Sequence, residues 1–265
     1  MANTRYENFI LENKLSEILS TAIDINNYMT LDTTLVGDAG MIKKINVYTA
    51  TGNVEDVAEG EGNTESIEMS YTAVPYTVGT TQGRFVYTDE DEMTDPFLVD
   101  GGLTDLGKKL TNNLTAKAVA EFNKATLTAT YAKGGAPDFD TIVDGIARLN
   151  KESDENAGLF ILVNPAMKAI LRKSLADDLK YSEGFTRTGY IGSVCGVPVI
   201  VSKAVANGTI IIATKKAVTC FVKKNSEIEQ ERNANTRTNT IYGRFVNVVA
   251  LTDASEVCVI KEALA

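Results

Sequence analysis

The chain has 265 residues, 44% of them hydrophobic and 23% charged, which is enough for one large domain or two lobes and too apolar for long disordered stretches. Its formal net charge of −9 argues against tight nucleic-acid binding, which needs clustered Lys and Arg, while leaving room for a protein that merely encloses nucleic acid. Histidine is absent, so no Ser-His-Asp triad, Cys-His pair or His metal ligand can form.

No apolar run approaches the roughly 20 residues that span a bilayer, and Met1–Ile10 is polar and mixed in charge, unlike a signal peptide. Spacings of three and four among Phe9, Leu11, Leu15, Ile18, Leu19 and Ile23 predict an amphipathic helix over residues 5–26. Asn27–Gly40 is polar and turn-like. The two together suit an arm that docks on something else, or a helix packed on its own domain.

From Met41 to about Thr88 the pattern is that of strands. Ile42, Lys44, Asn46 and Tyr48 open a run of β-formers, and Thr51-Gly52-Asn53 marks a turn. Residues 57–65 are glycine-rich, acidic and too poor in large apolar side chains to bury a core. Ile67, Met69, Tyr71 and Ala73 then alternate with polar residues. The pattern predicts an extended two-stranded arm with a flexible tip, with Pro75 at an edge and further strands at 76–80 and 84–87.

The acidic run Asp89–Glu92, with Asp95, lacks the alternating ligands and central glycine of an EF-hand. It reads as a solvated turn whose charges favour the N-terminus of the next helix. Leu103, Leu106, Leu110, Leu114, Ala118, Phe122 and Ala125 form one narrow stripe at steps of three and four. They predict an uninterrupted helix over about 101–129, about 40 Å long.

Gly134–Pro137 is the best lobe boundary. Beyond it, Phe139 to Leu149 predicts a compact helix with Asp138 near its N-cap, and Leu159–Val163 a central apolar strand. Pro165 opens a helix at its first position, Ala176–Arg187 reads as a surface loop, and Val194–Val201, Gly208–Ala213 and Ala217–Val222 read as strands. Glu227–Glu231, Thr240–Leu251 and Glu256–Lys261 complete the order. Cys195, Cys220 and Cys258 sit among apolar neighbours without paired spacing and read as buried, reduced thiols.

This order resembles the tailed-bacteriophage major capsid family, the Hong Kong 97 fold, from about Met41 to Lys261. The phrases that carry it are Ala58-Glu59-Gly60 leading into Ile67-Glu68-Met69, the acidic turn Thr88–Glu92 before the long helix, Asp140–Leu149, Phe160 to Asn164-Pro165, Gly196-Val197-Pro198-Val199, Gly208–Ile212, and Gly243-Arg244-Phe245 to Val249 after Arg232 and Arg237. The resemblance implies an α+β fold in four parts. These are an N-terminal arm (1–40), an extended β-hairpin loop (41–72), a peripheral domain on the spine helix (73–136 and 223–265), and an α/β axial domain (137–222).

It further implies a shell of hexamers and pentamers enclosing phage double-stranded DNA, made in the bacterial host cytoplasm and residing in the virion. Portal and decoration proteins are further implied partners. About 40 residues precede the first strand, which implies a separate scaffolding protein or none. Gly60, Glu61, Gly62, Ile67 and Met69 are the implied inter-subunit contacts. No catalytic residue, cofactor or metal ligand is identified, and no Lys-Asn pair is marked for cross-linking. Two rivals stand beside this reading. One is an encapsulin-type compartment of the same fold that encloses enzymes. The other is a carboxylate-dependent enzyme using Asp89–Asp95 or Asp177-Asp178.

Overall fold

The computed structural model describes residues 8–22, 28–149, 158–174 and 192–263. Its long helix is α3, Leu98–Phe122, about 37 Å at the usual rise. The stripe expected from the sequence is its buried face: Leu103, Leu106, Leu110, Leu114, Ala118 and Phe122 are all in the core. The expected span of about 101–129 needs correction at both ends. The helix starts at Leu98, after Asp95 caps the turn by accepting from the Phe97 amide at 3.0 Å. It stops at Phe122, and Leu127–Tyr131 is strand β5, pairing in parallel with residues 258–262. Threonines and a tyrosine favour that pairing over another helical turn.

Two sheets flank the helix. In chain order the strands are β1 Thr30–Asp32, β2 Ile42–Thr51, β3 Glu68–Thr77, β4 Gly79–Thr88, β5, β6 Leu159–Val163, β7 Ser193–Val194, β8 Val197–Val201, β9 Thr209–Thr214, β10 Val218–Asn233, β11 Thr238–Leu251 and β12 Val257–Glu262. A four-stranded sheet has the order β1-β10-β11-β4, and a six-stranded sheet the order β5-β12-β9-β6-β8-β7. β5 and β12 therefore extend the sheet of the lobe expected at 137–222 with strands from outside that range. β10 joins the expected strands at 217–222 and 227–231 into one, with register shifts between Val222 and Glu227.

The N-terminal half of α3 lies on the four-stranded sheet. There Gly83 and Gly243 are cross-strand partners, and a Cβ on either would meet Leu106 at 2.5 or 2.9 Å. Helix α1, Asn8–Ala22, buries Leu11 and Leu15 in the same cluster, and its Glu12 accepts from the Ile228 amide at 3.2 Å. The expected arm helix thus packs on its own chain.

The C-terminal half of α3 packs on one face of the six-stranded sheet, where Phe122 meets Phe160 edge-on at 6.1 Å. Helices α4, Phe139–Ala147, and α5, Pro165–Ser174, cover the other face. The caps read from the sequence are in place: Asp138 accepts from the Thr141 amide at 2.9 Å, and Pro165 opens α5. Cys220 and Cys258 are buried free thiols and Cys195 is half-buried. Burial pushes the Cys220 thiol up to about 12.

The acidic run is exposed at Glu90, Asp91 and Asp95, as expected of a solvated turn, but it is helical and its first carboxylate is buried. Asp89–Thr94 is a short six-residue helix, α2, closed by a capping box between Thr88 and Asp91. Asp89 is buried and accepts from Arg232 at 2.8 Å and Asn239 at 2.7 Å. The expected surface loop at 176–187 lies outside the described residues.

Candidate functional site

Among the described residues, strands β2 and β3 pair only with each other, from Ile42 opposite Thr77 to Thr51 opposite Glu68. A ribbon of two strands is marginal by itself in water. Its side chains divide by alternation into two faces. One face carries Lys43, Ile45 and Tyr76 toward the body. The other carries Ile42, Tyr48, Met69, Tyr71 and Pro75, with Lys44 and Asn46 between them on β2, all exposed. Tyr48 and Tyr71 are register partners with rings 6.1 Å apart. Met69, Tyr71 and Ile42 are each about two-thirds exposed, at 63%, 67% and 64%. Such a run of apolar side chains on one strand pair marks a surface made to be covered.

The root of the ribbon is gripped. Ile45 and Val78 pack with Phe221, Val248 and Ala250. The Lys43 ammonium sits 4.7 Å over the Phe221 ring, and its cross-strand partner Tyr76 lies 5.5 Å from the Lys124 ammonium. Lys124 pairs with Glu121 at 2.6 Å. Burial, reinforced by the Glu121 charge, pushes the Tyr76 phenol above its ordinary range. Lys223 ties down the incoming connector by donating to the carbonyls of Asp38 and Gly40.

The tip, expected to be flexible, is closed by one carboxylate. Glu55 accepts from the Thr64 amide and hydroxyl and from the Glu65 amide. Those bonds, the Thr64 amide first, hold its carboxyl below the usual range. Gly52 turns the chain at φ +113°, where a Cβ would lie 2.1 Å from the Ser66 carbonyl oxygen. Between Gly52 and Glu68 there are six carboxylates, Glu55, Asp56, Glu59, Glu61, Glu65 and Glu68, and no cation.

The residues singled out from the sequence all lie on this ribbon and are all exposed. Gly60, Glu61 and Gly62 are at the tip, where the Glu61 amide donates to the Ala58 carbonyl at 3.1 Å. Ile67 and Met69 lie where the strand begins. The sequence places Ile42, Tyr48 and Tyr71 in the alternating strands but does not mark them as contacts, because that they share one face follows only from the register. Nor does it mark the Lys43–Tyr76 root, whose partners are far away in the chain.

The carboxylates weighed for catalysis have structural tasks. Asp89 serves Arg232 and Asn239, and Asp91 caps α2. Asp177 and Asp178 lie outside the described residues. Among the described residues no group of three or more metal-ligating side chains is gathered, and no helix is long and apolar enough to cross a membrane.

A family model described as phage capsid protein matches residues 71–260. No curated protein sequence matches the chain. Among solved structures, it is similar to the capsid of a native GTA particle, with TM-score 0.74, 13% identity and coverage of 92% of this chain and 91% of that one. It is similar to the capsid of the cyanophage P-SCSP1u, with TM-score 0.70, 11% identity and coverage of 89% and 87%. A virus-like particle from Pyrococcus furiosus is a further likeness, with TM-score 0.62, 12% identity and coverage of 96% and 98%.

Proposed function

The chain belongs to the phage capsid protein family, and from that premise we propose that copies of it, grouped as hexamers and pentamers, close the head shell around phage double-stranded DNA. It is a major capsid shell protein with the α+β Hong Kong 97-type fold, and its place is the virion. Its work is structural. The protein-filled compartment is the weaker rival: it has the same fold, but the matching family is that of phage capsids. Portal, decoration and separate scaffolding proteins are the proposed further partners.

The observation that carries the reading is the ribbon. Its outer face holds the large apolar side chains of Ile42, Tyr48, Met69 and Tyr71 exposed, while its root is fixed. In a shell that face lies against a neighbouring copy, so burial across many copies holds the shell together, at subunit contacts on the order of 800 Å² a side. The uniformly acidic tip reaches past it. The arm at 1–40 is proposed to add a smaller overlap, anchored by α1 on the parent body.

Deleting residues 55–66 tests this. The body makes its own core without those residues, so the deletion variant is expected to stay soluble and folded by circular dichroism while no longer closing shells under the electron microscope. Normal shells from the deletion would contradict the role given to the ribbon.

A further inference from the structure

Helices α4 and α5 lie together on the outer face of the six-stranded sheet, and they carry opposite charge. α4 buries Ile142 but leaves Phe139 and Val143 43% and 41% exposed. These two are four residues apart and form one stripe. Asp140 and Asp144 form the adjoining stripe, and both are exposed. α5 buries Met167 and Leu171 and carries three cations, Lys168, Arg172 and Lys173, with no carboxylate. The segments touch where the Ser174 hydroxyl donates to the Pro137 carbonyl at 2.7 Å. Even so, among the described residues Asp140, Asp144, Arg172 and Lys173 form no ion pair. Cations in the last turn of α5 suit its helix dipole, but the dipole explains neither the acidic stripe of α4 nor its exposed Phe139 and Val143.

We propose that α4 of one copy docks against α5 of the next, with Asp140 and Asp144 facing Arg172 and Lys173 and the Phe139–Val143 stripe covered by the contact. This rests on the shell reading above and names the partner as a second copy of the chain. A contact between two unlike surfaces of identical copies runs head to tail, and it closes into a ring wherever the rotation allows. A ring of five or six copies needs such a contact around its axis. Opposite charges on the two surfaces set the direction of the ring and exclude α4-to-α4 and α5-to-α5 pairings.

The full chain tests the pairing by charge exchange. Three variants are compared with the unaltered protein: Asp140→Lys with Asp144→Lys, Arg172→Glu with Lys173→Glu, and all four together. Thermal melting of each checks the fold, and sedimentation velocity with electron microscopy at low salt counts rings and shells. Each two-site variant is expected to melt as the unaltered chain does and to lose its rings and shells, because like charges then face each other at every contact. The four-site variant is expected to regain them. Assembly by both two-site variants, or a folded four-site variant that fails to recover, would overturn the pairing. An unaltered chain that forms no particles would instead contradict the shell reading itself.

Discussion

Gly83 on β4 stands directly opposite Gly243 on β11, and the gap the pair leaves in the sheet surface receives Leu106 of the spine helix. An alanine at either position would force its methyl into Leu106, and overpacking of this kind costs about 1–3 kcal/mol. Leu106→Ala alone opens a cavity and costs about 2–5 kcal/mol. Combining Gly243→Ala with Leu106→Ala is expected to cost less than the sum of the two, since each relieves the other. Urea unfolding of the three variants measures the difference; strict additivity would mean that the socket does not bear on Leu106.

Asp89 is the buried hub of the far end of the molecule. Removing its carboxylate leaves the guanidinium of Arg232 and the buried amide of Asn239 without their acceptor. Breaking one side of a buried, hydrogen-bonded pair costs about 3–5 kcal/mol, and Arg232 is partly in water, so Asp89→Ala is expected to lose about 2–4 kcal/mol. Glu90→Ala, on an exposed position of the same short helix where it pairs with Arg237 at the surface, is expected to cost under about 1 kcal/mol. Equal losses in the two variants would remove Asp89 from its special place.

Gly52 and Gly60 both turn the chain at positive φ, but only Gly52 does so against a neighbour. Gly52→Ala is expected to spread the ribbon where the strands part, leaving the melting temperature of the body unchanged and abolishing shell closure. Gly60→Ala meets nothing within 4 Å and adds only backbone strain of about 1–2 kcal/mol at the tip, so its shells are expected to form at reduced yield. Particle counts by electron microscopy beside melting curves separate the two effects.

Glu227 carries the clearest pH signature. Its bond to Arg244, seconded by Lys224, holds its carboxyl down to about 2, from an ordinary 4.5. A depressed carboxylate contributes stability that is complete above the unfolded-state value and is lost as pH falls through the folded one. The window is therefore from about pH 5 down to about pH 2. Glu227→Gln is expected to flatten the acid limb of the stability curve in that window. An unchanged limb would show that the pair with Arg244 does not form in solution.

What could be read from the sequence was what repeats locally. The Leu103-to-Phe122 stripe gave the spine because a helix period shows within a few turns, and Gly52 with the alternation after Ile67 gave the ribbon. The caps at Asp138 and Pro165 were local as well. What escaped was decided by distant partners. Leu127–Tyr131 is a strand because β12 lies beside it, and Asp89 is buried because Arg232 and Asn239 arrive from a hairpin near the other end of the chain. The same holds for the ribbon root. Lys43 and Tyr76 look like ordinary strand residues until Phe221 and Lys124 are brought against them. The acidic run looked solvated because four successive carboxylates hide that one of them faces inward.

Electron microscopy of the purified full chain tests the central claim most directly. Closed particles of uniform diameter, with the ribbon of each copy lying apolar face down on a neighbour, are the expected result. A chain that stays monomeric at every concentration, with Tyr48, Met69 and Tyr71 open to solvent, would contradict it.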